Sequence, residues 1–97
     1  MSNKRLSLYA TTITACGNTI AIAYHNTNIV VFDSRRIVLN TGGWRTRTTK
    51  KKMNQAAQQF GLGYHVYAEG GDWFVDHEGK TIKFNQDVVI LERKVKR

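Results

Sequence analysis

The sequence predicts an α+β fold: an antiparallel sheet built from two multi-strand β segments, flat or curled into a half-barrel, with a single central amphipathic helix. Three observations predict it. Short runs alternate apolar with polar residues on both sides of the chain's middle. Glycine- and asparagine-bearing turn signals punctuate those runs. Between them, Met53, Ala56, Ala57 and Phe60 fall at i, i+3, i+4 and i+7, the apolar stripe of one helix.

Leu6 to Ala15 opens the first segment, with Leu6, Leu8 and Ala10 alternating. Gly17-Asn18 turns the chain. Ile20, Ile22 and Tyr24 alternate next, and Asn26-Thr27-Asn28 turns it again. Asn28 to Asp33 is stiff and β-branched, as a strand requires. Ser34-Arg35 reads as a tight hairpin connection, Arg36 to Asn40 pairs back, and Gly42-Gly43 ends that run. The helix follows from about Thr49 to Phe60, with Thr46 or Thr48 as its cap and Gly61 just past its end. Tyr64 to Glu69, Asp72 to His77, Lys80 to Asn85 and Asp87 to Leu91 form a meander. Grouped by segment, the order reads β-β-β-α-β-β-β. The repeated Tyr-His pairs, Tyr24-His25 and Tyr64-His65, are too short to establish a duplicated unit.

Ninety-seven residues without proline or a low-complexity linker make one domain, residues 1–97, with a basic tail from Arg93 expected to fray. The net charge of +8 points to an anionic partner. It is also uneven: Ser34 to Ala68 holds seven Lys or Arg and no acid, whereas Glu69 to Glu92 holds six acids and two lysines. The lone Cys16 excludes an internal disulfide. No apolar run reaches the ~20 residues of a membrane helix, and no signal-like apolar core follows the first residues. The expectation is a soluble, cytoplasmic protein that does not engage membranes.

The densest chemical signal is Gly42-Gly43-Trp44-Arg45-Thr46-Arg47-Thr48-Thr49-Lys50-Lys51-Lys52, which joins a glycine turn to the helix start. Cations there oppose the macrodipole, at roughly 0.3–1 kcal/mol each when exposed. A bound anion would offset that cost, because free N–H groups at a helix start bind phosphate. Arg45, Arg47, Lys50, Lys51 and Lys52 are candidate phosphate contacts, Thr48 a hydroxyl donor, and Trp44 a stacking face or a brace for the loop. Arg35 and Arg36 would extend the track. The P-loop spacing is absent, so nucleotide triphosphate hydrolysis is unsupported.

Other groups carry less. His25, His65 and His77 lack the helical spacing of a zinc motif. Asp72 and Asp76 share a strand face about 13 Å apart, too far to hold one metal ion. Trp73 is expected inside, and Tyr67 with Phe74 could form an aromatic patch. Cys16 has no activating neighbour in sequence. No catalytic residue, metal site or cofactor is assigned, and an enzyme is not expected.

The segment from Ile37 to Gln55, with Leu39-Asn-Thr-Gly-Gly-Trp-Arg-Thr46 at its centre, resembles a group of small bacteriophage proteins. Tyr24-His25-Asn26-Thr27 before it and Trp73-Phe74-Val75 after it extend the likeness over much of the chain. The resemblance implies a phage origin and expression inside a bacterial host cell. It transfers no catalytic residue. The functional expectation is a non-enzymatic nucleic-acid-binding protein. The alternative is an interaction protein that docks on an acidic host protein and inhibits it, and homo-oligomers are compatible with both.

Overall fold

The computed structural model describes residues 10–43 and 45–93. Within them the chain forms β1 (Thr11–Cys16), β2 (Thr19–Tyr24), β3 (Thr27–Phe32), β4 (Arg36–Asn40), α1 (Arg47–Phe60), β5 (Tyr64–Glu69), β6 (Asp72–His77), β7 (Lys80–Lys83) and β8 (Val88–Glu92). Four strands precede the helix and four follow it, one more on each side than the grouped order expects. The expected start of the first strand at Leu6, the role of Trp44 and the tail at 94–97 lie outside the described residues.

The fold is α+β, but it holds two open sheets where the sequence suggested one. One sheet has the order β1-β2-β3-β4-β8, and the other is the meander β5-β6-β7, with antiparallel neighbours throughout. The last strand leaves the meander and pairs with β4, from Arg36 opposite Glu92 to Asn40 opposite Val88. Local patterning could not announce a pairing between segments so distant in sequence.

Alternation on the strands builds the core. Ile20, Phe32, Ile37 and Leu91 line up across the larger sheet, and Ile22, Val30, Leu39 and Val89 form a second row on the same face. These rows meet Met53, Ala56 and Ala57 of α1, Tyr64, Val66, Trp73 and Val75 of the smaller sheet, and Phe84 in one cluster. A register shift between Ile22 and Ala23 leaves Ile29 as an extra residue, so Ile29 and Val30 are both buried although adjacent.

Thr46 caps α1, its hydroxyl accepting from the Thr49 amide at 3.2 Å. Gly61, at φ 63°, ends the helix in the left-handed conformation that glycine adopts without steric cost. The buried face of α1 carries Thr49, Lys52 and Gln55 beside Met53, Ala56 and Ala57, and Phe60 is half-buried, so the expected apolar stripe is only part of what the helix buries. Asn54 grips the edge of β5: its side chain donates to the Val66 carbonyl at 2.8 Å and accepts from the Val66 amide at 2.7 Å. The Tyr64 hydroxyl donates to the Met53 carbonyl at 2.6 Å. No helix in the described residues is long and apolar enough to cross a membrane, which says nothing of a β-barrel.

Candidate functional site

The start of α1 opens beside a pocket of about 500 Å³, within the size range of small-ligand sites. Three pieces of chain build it. The β2–β3 hairpin supplies Tyr24, His25, Asn26 and Thr27, the bulge in β3 supplies Ile29, and the β4–α1 connection with the first helical turn supplies Thr41, Thr46 and Thr49. The wall therefore combines two aromatic rings, one aliphatic side chain and a ring of hydroxyl and amide groups. The Tyr24 and His25 rings lie 4.4 Å apart, tilted by 47°.

Local chemistry fixes these pieces together. Gly42 has φ +63°, and a Cβ there would come within 2.6 Å of the Thr27 Cγ2 atom. Both the conformation and the space demand glycine, and this contact docks the connection onto the hairpin. Thr41 is almost fully buried; its amide donates to the Asp87 carbonyl at 2.9 Å and its hydroxyl to the Asp87 carboxylate at 2.8 Å. The Gly43 amide donates back to the Thr41 hydroxyl at 3.2 Å. Arg45 completes the fastening. Its guanidinium donates to the Phe84 carbonyl at 3.2 Å and the Gln86 carbonyl at 3.1 Å, and lies 3.7 Å from the Asp87 carboxylate.

The candidate contact residues thus fall into distinct settings. Arg47, Thr48 and Lys51 are exposed on the first turns of α1, where no acidic residue offsets the helix dipole. Lys50 is half-buried, its ammonium 5.9 Å from the centre of the Trp73 ring. Lys52 is buried, with its ammonium 5.1 Å from the centre of the Tyr24 ring, so it backs the pocket's aromatic wall. Burial, and secondarily the charge of Lys51, holds the Lys52 ammonium below the ordinary lysine pKa.

Arg35 and Arg36 lie at the other end of β4 from Thr41, roughly 17 Å away along the strand. The Asp33 carboxylate accepts from both of their amides, at 2.7 and 2.9 Å, and these bonds hold its pKa below the usual carboxylate range. Arg93 joins them there: its amide donates to the Arg35 carbonyl at 2.7 Å and its guanidinium to the Asp33 carbonyl at 2.8 Å. The structure therefore brings Arg45, Arg47, Thr48, Lys50, Lys51 and Lys52 to one end of the molecule and leaves Arg35 and Arg36 at the opposite end of the sheet.

Sequence reading did not single out the hairpin from Tyr24 to Thr27 or Thr41 as parts of a site. The one available signal was that Gly42-Gly43 precedes a cation-rich helix start, which marks one wall and says nothing of what faces it. On the outer face of β5 and β6, Tyr67 and Phe74 stack at 5.6 Å and His65 lies 6.0 Å from Tyr67. Asp76 beside them accepts from the Thr81 hydroxyl at 2.6 Å, and Asp72 lies 3.6 Å from the Lys83 ammonium. Those carboxylates make that face a poor counterpart for phosphate. Among the described residues, no cluster of His, Cys, Asp and Glu could hold a metal ion.

Fold and site define the class: a small, basic α+β protein with a hydroxyl- and aromatic-lined pocket at a cationic helix start. The family model described as Kyanoviridae Gp96 protein matches residues 1–91, so the chain belongs to that bacteriophage protein family. No curated protein and no solved structure matches it.

Proposed function

We propose that this phage protein is a non-enzymatic nucleic-acid-binding protein acting in the host cytoplasm, and that it grips the phosphate backbone at the start of α1. One observation carries the reading: Arg47 and Lys51 are exposed at the start of α1, its first turn holds no acid, and among the described residues no ion pair offsets the repulsion that the helix field exerts on Arg47 in that turn. Arg47, Thr48, Lys51 and the half-exposed Lys50 are the proposed phosphate contacts. Arg45 and Lys52 shape the site from within, one fastening the connection and the other backing Tyr24. The pocket supports a preference for single strands, since an unstacked base could sit against Tyr24 and His25 with its edge toward Thr27 and Asn26.

The test is an oligonucleotide titration over a range of salt concentrations, on single strands and duplexes, with the wild type beside Arg47→Ala/Lys51→Ala. Wild-type binding should weaken steeply with salt. The double variant should lose roughly 1.4 units of log–log slope on single strands, about 0.7 for each phosphate contact removed. Absence of binding at low salt, or an unchanged slope in the variant, would refute the reading. Nuclease-resistant co-purification with one host protein would instead favour the host-interaction alternative.

A further inference from the structure

We infer that the outer face of the five-stranded sheet is a self-association surface, on which a second copy of this chain packs sheet against sheet. This rests on residues remote from the phosphate site and is independent of the function proposed above.

The face is defined by register. Thr14, Ala21, Val31, Val38 and Ile90 stand directly opposite one another in a single row across β1, β2, β3, β4 and β8. Thr12 and Ala23 flank that row on one side, and Asn40 with Val88 continues it at the β4–β8 pair. The row lies on the opposite side of the pleat from the buried Ile22, Val30, Leu39 and Val89, so α1 and the smaller sheet do not cover it. Ile90 is 58 % exposed and Val88 46 %, two of the three large hydrophobic side chains that the described residues leave exposed. Five strands about 4.8 Å apart give this face a footprint of roughly 400 Å². Two copies packed on it would bury roughly 800 Å² in total, the size of a weak contact, so association should depend on concentration.

Charge selects the occupant. The chain carries +8, yet the row itself, with Thr12, Ala23, Asn40 and Val88 beside it, holds no charged residue; Arg36 and Glu92 flank Val38 and Ile90 at its other margin. A phosphate backbone would find only Arg36 there, opposite the carboxylate-bearing Glu92. Two copies that met through most other faces would oppose like charges; through this one they would not. At one margin Arg36 stands opposite Glu92. In a two-fold contact each could face the other's counterpart, because an isologous interface presents the same patch twice. The side chains are short and even in height, Thr, Ala and Val with Ile only at β8, which suits the ~10 Å spacing of face-to-face sheets.

The experiment is sedimentation equilibrium or light scattering on nuclease-treated protein across a concentration series, at low and high salt. The mass should rise with concentration toward twice the 11.1 kDa of the chain, and should do so at high salt as well because the contact is mainly apolar. Val88→Lys/Ile90→Lys should be monomeric with an unchanged circular dichroism spectrum. Val31→Thr/Val38→Thr, which keeps β-branched side chains, should weaken the dimer and provides the reading if the lysine variant fails to fold. A wild type that stays at 11.1 kDa at every concentration overturns the inference. So does a dimer that salt dissociates, or one that these substitutions leave intact.

Discussion

Arg45 and Lys52 show how one run of cations divides its work residue by residue. Arg45 spends its guanidinium on two carbonyls of the β7–β8 connection and on Asp87. Arg45→Ala should therefore lower folding stability by about 1–3 kcal/mol, the cost of charge-assisted bonds lost, read from urea denaturation midpoints. Both carbonyl bonds leave one terminal nitrogen, Nη2, so Arg45→Lys, whose ammonium also donates several bonds from one nitrogen, should recover part of that loss. Lys52 gives a pH signature. Its folded pKa lies below the unfolded value of 10.5. Between the two values the unfolded state holds the extra proton, so stability rises with pH across that window. Tyr64 acts oppositely: burial raises its pKa, so unfolded tyrosine ionises first and stability falls above its ordinary value of 10.0. Denaturation from neutral pH up to 10.0 should show a rise in the wild type that Lys52→Met reduces. An equal rise in both would remove Lys52 as its source.

At the scale of elements, the strands were readable and their partners were not. Tyr64–Glu69 and Asp72–His77 fall where alternation and the Gly70-Gly71 turn place them, because a hairpin is written in adjacent residues. The helix's last residue was legible for the same reason, with Gly61 ending it, whereas its start lies at Arg47, two residues before the expected Thr49, capped by Thr46, one of the two residues expected for that role. The union of β4 with β8 was not, since neither strand's pattern names the other. The site divides along the same line. The basic helix start is a contiguous motif and was visible. Its facing wall, Tyr24 to Thr27, depends on the close approach of Gly42 to Thr27, which only the folded chain reveals. Burial of Lys52 was also hidden: the helical period puts it beside Met53, but that a lysine enters the core depends on the Tyr24 ring it meets there.

For the molecule as a whole, the surface sorts into regions with different chemistry. Cations gather at the helix start, carboxylates mark the outer face of the smaller sheet, and the outer row of the larger sheet is uncharged. This arrangement lets one small protein hold a polyanion at one end and a second copy of itself on another face. The central claim is that the cations on the first turns of α1 serve a ligand and not the fold. Arg47→Glu tests it most directly, with melting and single-stranded oligonucleotide binding measured on the same preparation. Reversing that charge should stabilise the fold by about 0.3–1 kcal/mol, through a favourable interaction with the helix dipole, while binding weakens and its salt dependence flattens. A variant that loses stability and binds as tightly as the wild type would contradict the account.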